Sequence, residues 1–329
     1  MVRTTRKASV LSSLFVVLLL AVAVMAEAQQ PKLYRVGVIT LGGAWYETID
    51  GLRLGLRQLG LEEGKQFILA IRDTKGDSKT AEEAARNLEQ DKVNLIYTTA
   101  SSVSIAARRA TVEVPIVFAA GADPVDLGLV ESFAKPGGRF TGVYYRDADL
   151  TAKRLETLKE IVAKLHRVVT FYDQSNPVAG QSATLAREAA RLLGVEFVER
   201  HFSSVEQLQA GVRALRVGEV DAYFEVADAV AVLQDQLIID MAMAKRLPTM
   251  FLQLSSVTKG GLASYSVNFH EVGRLSAKYV QRILTGVQPK DLPVQGIDKI
   301  ELVINLKTAK QIGLAIPQSA LYRADRVIK

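Results

Sequence analysis

The chain has no cysteine among its 329 residues. Disulfides, thiolate metal sites and a lipid-anchored lipoprotein are therefore excluded. Histidine is scarce. His166, His201 and His270 stand far apart, without the spacing of a metal site or a catalytic triad. There is no Gly-x-Ser-x-Gly elbow and no His-Glu-x-x-His pair. No two carboxylates carry a spacing that signals acid–base work. Phosphate cradles are missing too. Gly42-Gly43 has no third glycine, and Trp45 would crowd a pyrophosphate. Gly60 to Gln66 is one residue short of a nucleotide loop, lacks the Ser or Thr for magnesium, and follows a helical pattern. These residues call for no cofactor and no metal, and the chain reads as a non-enzyme.

What is present begins at the N-terminus. Arg3, Arg6 and Lys7 precede the apolar run VLSSLFVVLLLAVAVMA, and Ala26-Glu27-Ala28 fits the small-x-small cleavage rule. The run is short for a membrane span. Residues 1–28 are predicted to be a secretory signal peptide, with a soluble, exported mature chain. The leader takes three basic residues and one acidic residue out of the net +6. The remaining Lys and Arg are interleaved with acids, as in KRLETLKEIVAKLHR. That is a solvated helix face and not a nucleic-acid stripe.

From residue 33 onward, strand-like and helix-like segments alternate. LYRVGVIT, FILAIRD, NLIYTT, PIVFAA and FTGVYY are short β-branched runs. RVVTFYD, VEFVERHF, AYFEVAD and PTMFLQL repeat the scheme later. Helical spacing is clear in WYETIDGLRLGLRQLG, through Ile49, Leu52, Leu56 and Leu59. AVAVLQDQLIIDMAMAKR reads as one long helix, and EVGRLSAKYVQRILTG as another. Alternation of this kind predicts an α/β fold of parallel sheets covered by helices on both faces. So many units exceed one comfortable sheet, so two doubly wound lobes are expected. The break is expected near KPGGRFTGVYYRD, and LASYSVNF is a candidate second crossing.

Open α/β sheets bind ligands outside the carboxyl ends of their strands. The loops at those ends supply the candidate site residues. They are Gly42, Gly43, Trp45 and Tyr46 after the first strand, Thr99, Ser101 and Ser102 after the third, and Gly121 and Asp123 after the fourth. The second half adds Tyr172, Asp173 and Asn176, then Glu225 and Asp228, then Gln253. The two glycines let the backbone turn tightly toward a ligand. Trp45, Tyr46 and Tyr172 are expected to wall it in. Asp123, Asp173, Glu225 and Asp228 offer acceptors for an ammonium, and Ser101-Ser102 opens a helix whose amides suit a carboxylate. Together these describe a zwitterion. Structural readings stand beside these: Trp45 packed under the first helix, Asp123 as an Asx-turn before Pro124, Asp173 as a loop acid, and the serines as plain N-caps.

Several longer motifs carry a family resemblance. They are Ala122-Asp123-Pro124-Val125, Gly128-Leu129-Val130, Lys135-Pro136-Gly137-Gly138 and Thr141-Gly142-Val143. Lys153 to Lys159 and the tail from Ile300 to Lys310, with Ile312-Gly313-Leu314 and Ile316-Pro317, add to them. Over essentially the whole mature chain, the sequence resembles extracytoplasmic solute-binding proteins of ABC transporters, in the branch associated with tryptophan and tyrosine uptake. The resemblance implies a type I periplasmic binding fold with three crossovers and a hinged cleft. One lobe would comprise residues 33–141 with 266–296, and the other 142–265 with 297–329. The expected function is a monomeric periplasmic receptor that delivers a small solute to an ABC permease. The alternative is a sensor of the same fold that docks on a membrane signalling receptor.

Overall fold

The computed structural model describes residues 33–147, 149–297 and 299–329. The expected signal peptide lies outside them. The strands in chain order are β1 (Tyr34–Thr40), β2 (Phe67–Asp73), β3 (Leu95–Thr98), β4 (Ile116–Ala120) and β5 (Phe140–Tyr144). Then come β6 (Arg167–Tyr172), β7 (Glu196–His201), β8 (Ala222–Phe224), β9 (Thr249–Phe251) and β10 (Ala263–Val267). The last three are β11 (Gln295–Gly296), β12 (Ile300–Asn305) and β13 (Arg326–Ile328). They form two sheets, ordered β11-β5-β4-β3-β1-β2 and β13-β12-β10-β9-β8-β6-β7.

The first sheet is parallel throughout. Its central strands are apolar on both faces because helices cover both, as in Ile116–Ala120, where every residue is buried. The second sheet is parallel except at one edge. β12 runs antiparallel to β10, and β13 follows β12 in parallel. This departs from the all-parallel expectation. The chain reaches β12 from the first sheet, by way of β11, and so enters the second sheet in the opposite sense.

One helix holds the first lobe together from a distance in sequence. Helix Phe269–Leu284 follows β10 of the second sheet, yet it packs with the first hydrophobic core. It lies against helix Tyr46–Gln58 at backbone distance. A Cβ added at Gly51 would fall 1.8 Å from the His270 carbonyl oxygen, and one at Gly273 would fall 1.8 Å from that of Thr48. Only glycine permits this approach.

Two boundaries differ from expectation. The Pro-Gly-Gly segment makes the turn into β5 but does not end the first sheet, because β5 lies between β4 and β11 and runs to Tyr144. The long helix expected over AVAVLQDQLIIDMAMAKR is two helices, Ala229–Leu233 and Asp235–Lys245, broken at Gln234. The break lets Leu233 reach the first lobe, against Gly43 and Gly76. It also places the Asp235 carboxylate beside the buried Ser256 hydroxyl, which donates to it.

Candidate functional site

The carboxyl ends of the strands in both sheets converge on one cleft of about 630 Å³, its open mouth included. Both sheets contribute, and so do the segments that cross between them. Of the residues expected from sequence, Trp45, Ser101, Ser102, Gly121, Asn176, Asp228 and Gln253 line it.

On the first lobe, the loop after β1 is shaped by Gly42 and Gly43, with φ of 86° and 56°. The Gly42 amide donates to Thr40 Oγ1 at 3.2 Å, and Thr99 Oγ1 donates to the same atom at 3.2 Å. Gly42, Gly43 and Thr99 shape the wall without lining it. The loop winds into a short turn, Gly43–Trp45, that swings the indole toward the cleft. Trp45 is only 6% exposed. Its N–H lies near the Tyr145 hydroxyl without completing a hydrogen bond. Trp45 is thus part of the first hydrophobic core and also lines the cleft. Ser101 Oγ accepts from the amides of Gly121 (3.0 Å) and Ala122 (3.1 Å), which keeps its own hydrogen available to the cleft. Helix Ser101–Ala110 begins after Ala100, with no side-chain cap. Its first-turn amides therefore end at the cleft without a capping oxygen.

On the second lobe, Asp228 is already occupied. Asp228 Oδ1 accepts from the amides of Val230 and Ala231, both at 2.9 Å. Its Oδ2 accepts from the Asp173 amide (3.1 Å) and Asn176 Nδ2 (3.4 Å). Burial pushes its carboxyl up, and the amide donors oppose that. Asn176 Oδ1 in turn caps helix Pro177–Leu193 through Val178 and Ala179. Gln253 is 2% exposed, and its Oε1 has no partner.

The other expected residues sit elsewhere, each for a visible reason. Tyr46 is 38% exposed and directs its hydroxyl to Asp73 at 3.3 Å, because it starts the helix one position after Trp45 and faces outward. Tyr172 ends its strand with its hydroxyl donating to Glu199 at 2.6 Å and its ring edge-on to His201. Asp123 accepts from the amides of Val125 and Asp126, in the Asx-turn reading. Asp173 accepts from the Ser175 amide at 2.8 Å and borders an adjoining groove that shares Ser102 and Asp228 with the cleft.

Glu225 lies behind the wall, fully buried. Oε2 accepts from the Leu252 amide at 2.8 Å, and Oε1 is unpartnered. Burial and the neighbouring Asp235 push its carboxyl well above the ordinary value. Burial pushes Asp235 up to about 6.

Sequence reasoning missed Tyr145, Asp147 and Phe269, which all line the cleft. They belong to the crossing segments. The Tyr145 and Phe269 rings meet edge to face at 5.3 Å. The three crossings were expected, but no periodicity shows which of their side chains point inward.

Two doubly wound lobes closing on a cleft at their strand ends define a type I periplasmic binding protein. The chain belongs to the ABC transporter substrate-binding protein family, whose profile matches residues 35–328. It is 26% identical over 265 residues to a tyrosine-binding protein of Clostridioides difficile, covering 80% of this chain and 76% of that one. A crystal structure of a conserved domain protein from Vibrio cholerae superposes with a TM-score of 0.83 at 27% identity, over 89% of this chain and 99% of the other. A Streptococcus pneumoniae ABC domain in complex with L-Trp shares the fold, with a TM-score of 0.81 at 22% identity, over 90% and 99% of the two chains.

Proposed function

We propose that this solute-binding protein captures an amino acid with an aromatic side chain and delivers it to an ABC permease in the membrane. The cleft's charge pattern is the observation that carries this reading. Its described lining contains the acids Asp147 and Asp228 and no Lys or Arg. A free anion would find no cation there. A zwitterion would find hydrogen-bond donors on the first wall, from Ser101, the uncapped amides at Ser102 and the Trp45 indole, with negative charge elsewhere. Trp45, Tyr145, Leu252 and Phe269 offer apolar surface to a large side chain. The tyrosine-binding relative and the L-Trp complex support the same choice.

In this reading Trp45, Ser101, Ser102, Gly121, Asn176 and Gln253 form the ligand shell, Asp228 braces its second wall, and Gly42, Gly43 and Thr99 shape it. The protein acts as a soluble periplasmic monomer once residues 1–28 are removed. The lobes hinge where the chain leaves each sheet, after Tyr144, after Val267 and after Gly296. Ligand therefore closes the cleft as a hinge motion. Mass spectrometry of the solute that co-purifies with native protein tests the reading, followed by calorimetry on stripped protein with L-tyrosine, L-tryptophan, L-phenylalanine and L-leucine. The aromatic amino acids should bind more tightly than leucine. Failure of all four, with a different solute in the purified protein, would overturn it.

A further inference from the structure

The cleft offers two carboxylates, and they are not equivalent. A buried ammonium needs an acceptor oxygen that is not already used. Asp228 receives four donors from the protein itself. Asp147 receives one side-chain donor. Its Oδ1 accepts from Arg154 Nη2 at 2.6 Å, while Oδ2 has no hydrogen-bond partner among the described residues. Asp147 follows β5 by three residues, in the first crossing, and is 9% exposed as part of the cleft lining.

Arg154 fixes where that free oxygen points. Its side chain is 0% exposed, and its Nε donates to the Tyr265 carbonyl at 3.0 Å. Tyr265 belongs to β10, the strand that leads into the second crossing. A single guanidinium therefore ties the Asp147 carboxylate to the second sheet. A planar fork holding one oxygen leaves the other in a fixed direction.

We propose that Asp147 is the residue that recognises the solute's ammonium and makes the protein select protonated amines. This rests on the amino-acid reading above. Calorimetry with three probes tests both levels: L-tyrosine, tyramine (ammonium without carboxylate) and 3-(4-hydroxyphenyl)propionate (carboxylate without ammonium). The tryptophan series is run in parallel. Wild type should bind the deaminated acid at least about 30-fold more weakly than the amino acid, the size of a lost hydrogen bond to a charged group. Asp147→Asn should lose about that factor for the amino acid and tyramine, and change less than threefold for the deaminated acid. Equal weakening toward all three probes would make Asp147 structural and overturn the proposal, as would unchanged affinity for the amino acid. If Asp147→Asn does not fold by circular dichroism, Asp147→Ser replaces it. If neither folds, a wild type that binds deaminated acid and amino acid equally overturns the proposal by itself. A wild type that binds none of the probes defeats the amino-acid reading as well.

Discussion

The two walls of the cleft are built from the same local plan, a strand running into a loop and then a helix, but they finish it differently. On the first wall, the helix at Ser101 starts without a side-chain cap, and so does the helix that follows Trp45. On the second wall, Asn176 and Asp228 cap their own helices. The short helix after Gln253 starts there without a side-chain cap. The difference teaches where each end of a zwitterion goes. Open amides and partial positive charge favour a carboxylate on the first wall. On the second wall the amides are spent on protein oxygens. A loop carboxylate such as Asp228 is therefore a poor guide to ligand contact until its own hydrogen bonds are counted.

The largest expected effect comes from copying the second wall's solution onto the first. Ala100 occupies the N-cap position with φ −153° and ψ 160°, an extended conformation suited to a capping side chain. Ala100→Asp should cap the helix and stabilise the fold by roughly 0.5–1 kcal/mol. It should also put a fixed carboxylate where the ligand's would bind, weakening amino-acid binding by about 3 kcal/mol, the scale of a displaced charge-assisted site. Calorimetry and urea unfolding on one preparation would show affinity and stability moving in opposite directions. Movement in the same direction would mean that the vacant cap is not the carboxylate site.

The reverse experiment removes a cap from the second wall. Asp228→Ala orphans four donors, one buried and three part-buried, and should cost about 2 kcal/mol of stability in urea. Any loss of affinity should be smaller than that seen with Ala100→Asp. A variant of unchanged stability that no longer binds would return Asp228 to the role of direct ligand contact.

Behind the second wall lie two buried acids with raised carboxyls. Glu225 and Asp235 have carboxyls raised above their ordinary values, chiefly by burial. For a raised acid, the folded state holds its proton more tightly than the unfolded one. Its contribution is full below the ordinary value of 3.8 for Asp235 and is lost as pH rises through about 6. The stability of wild type should therefore fall between pH 5 and pH 7.5 relative to Asp235→Asn. The gap should be on the order of 1 kcal/mol, the scale of one pKa unit. Parallel pH profiles for the two proteins would show that Asp235 is not the source.

The smallest effect tests the first wall's indole. Trp45→Phe keeps an aromatic ring but removes the unpartnered N–H, so affinity should fall by about 0.5–1.5 kcal/mol, with some loss of stability from the smaller ring in the core. Trp45 is the only tryptophan in the chain. Its emission should start at short wavelength, because the ring is buried, and still respond to ligand. Emission that ignores a ligand whose binding calorimetry confirms would make Trp45 core alone.

Much of this architecture was legible in the order of residues. The β-branched runs mark nine of the strands, because a buried parallel strand must be apolar on both faces. Gly42-Gly43 marks a turn at the end of β1, and both glycines do take positive φ. Asn176 and Asp228 were legible as polar residues at strand ends. Their capping bonds reach amides within three residues, so that role depends on local geometry. What could not be read locally is direction. Trp45 and Tyr46 are adjacent, yet one faces the cleft and the other faces Asp73.

The sequence by itself determined the alternation of strands and helices, the division into two sheets, the glycine turns and the absence of any cysteine chemistry. All of these follow from propensity, periodicity and composition, which act over a few residues at a time. The tertiary structure alone decided which side chains meet. Tyr145 and Phe269 are 124 positions apart in sequence and touch because both crossings pass under the cleft. Asp147 gains its orientation from Arg154, and Arg154 gains its own from the Tyr265 carbonyl on another strand. Such contacts depend on how two lobes pack through backbone approaches such as Gly51 against His270. Close packing of that kind is a property of the assembled interior, where each atom's position is set by neighbours that lie far away along the chain.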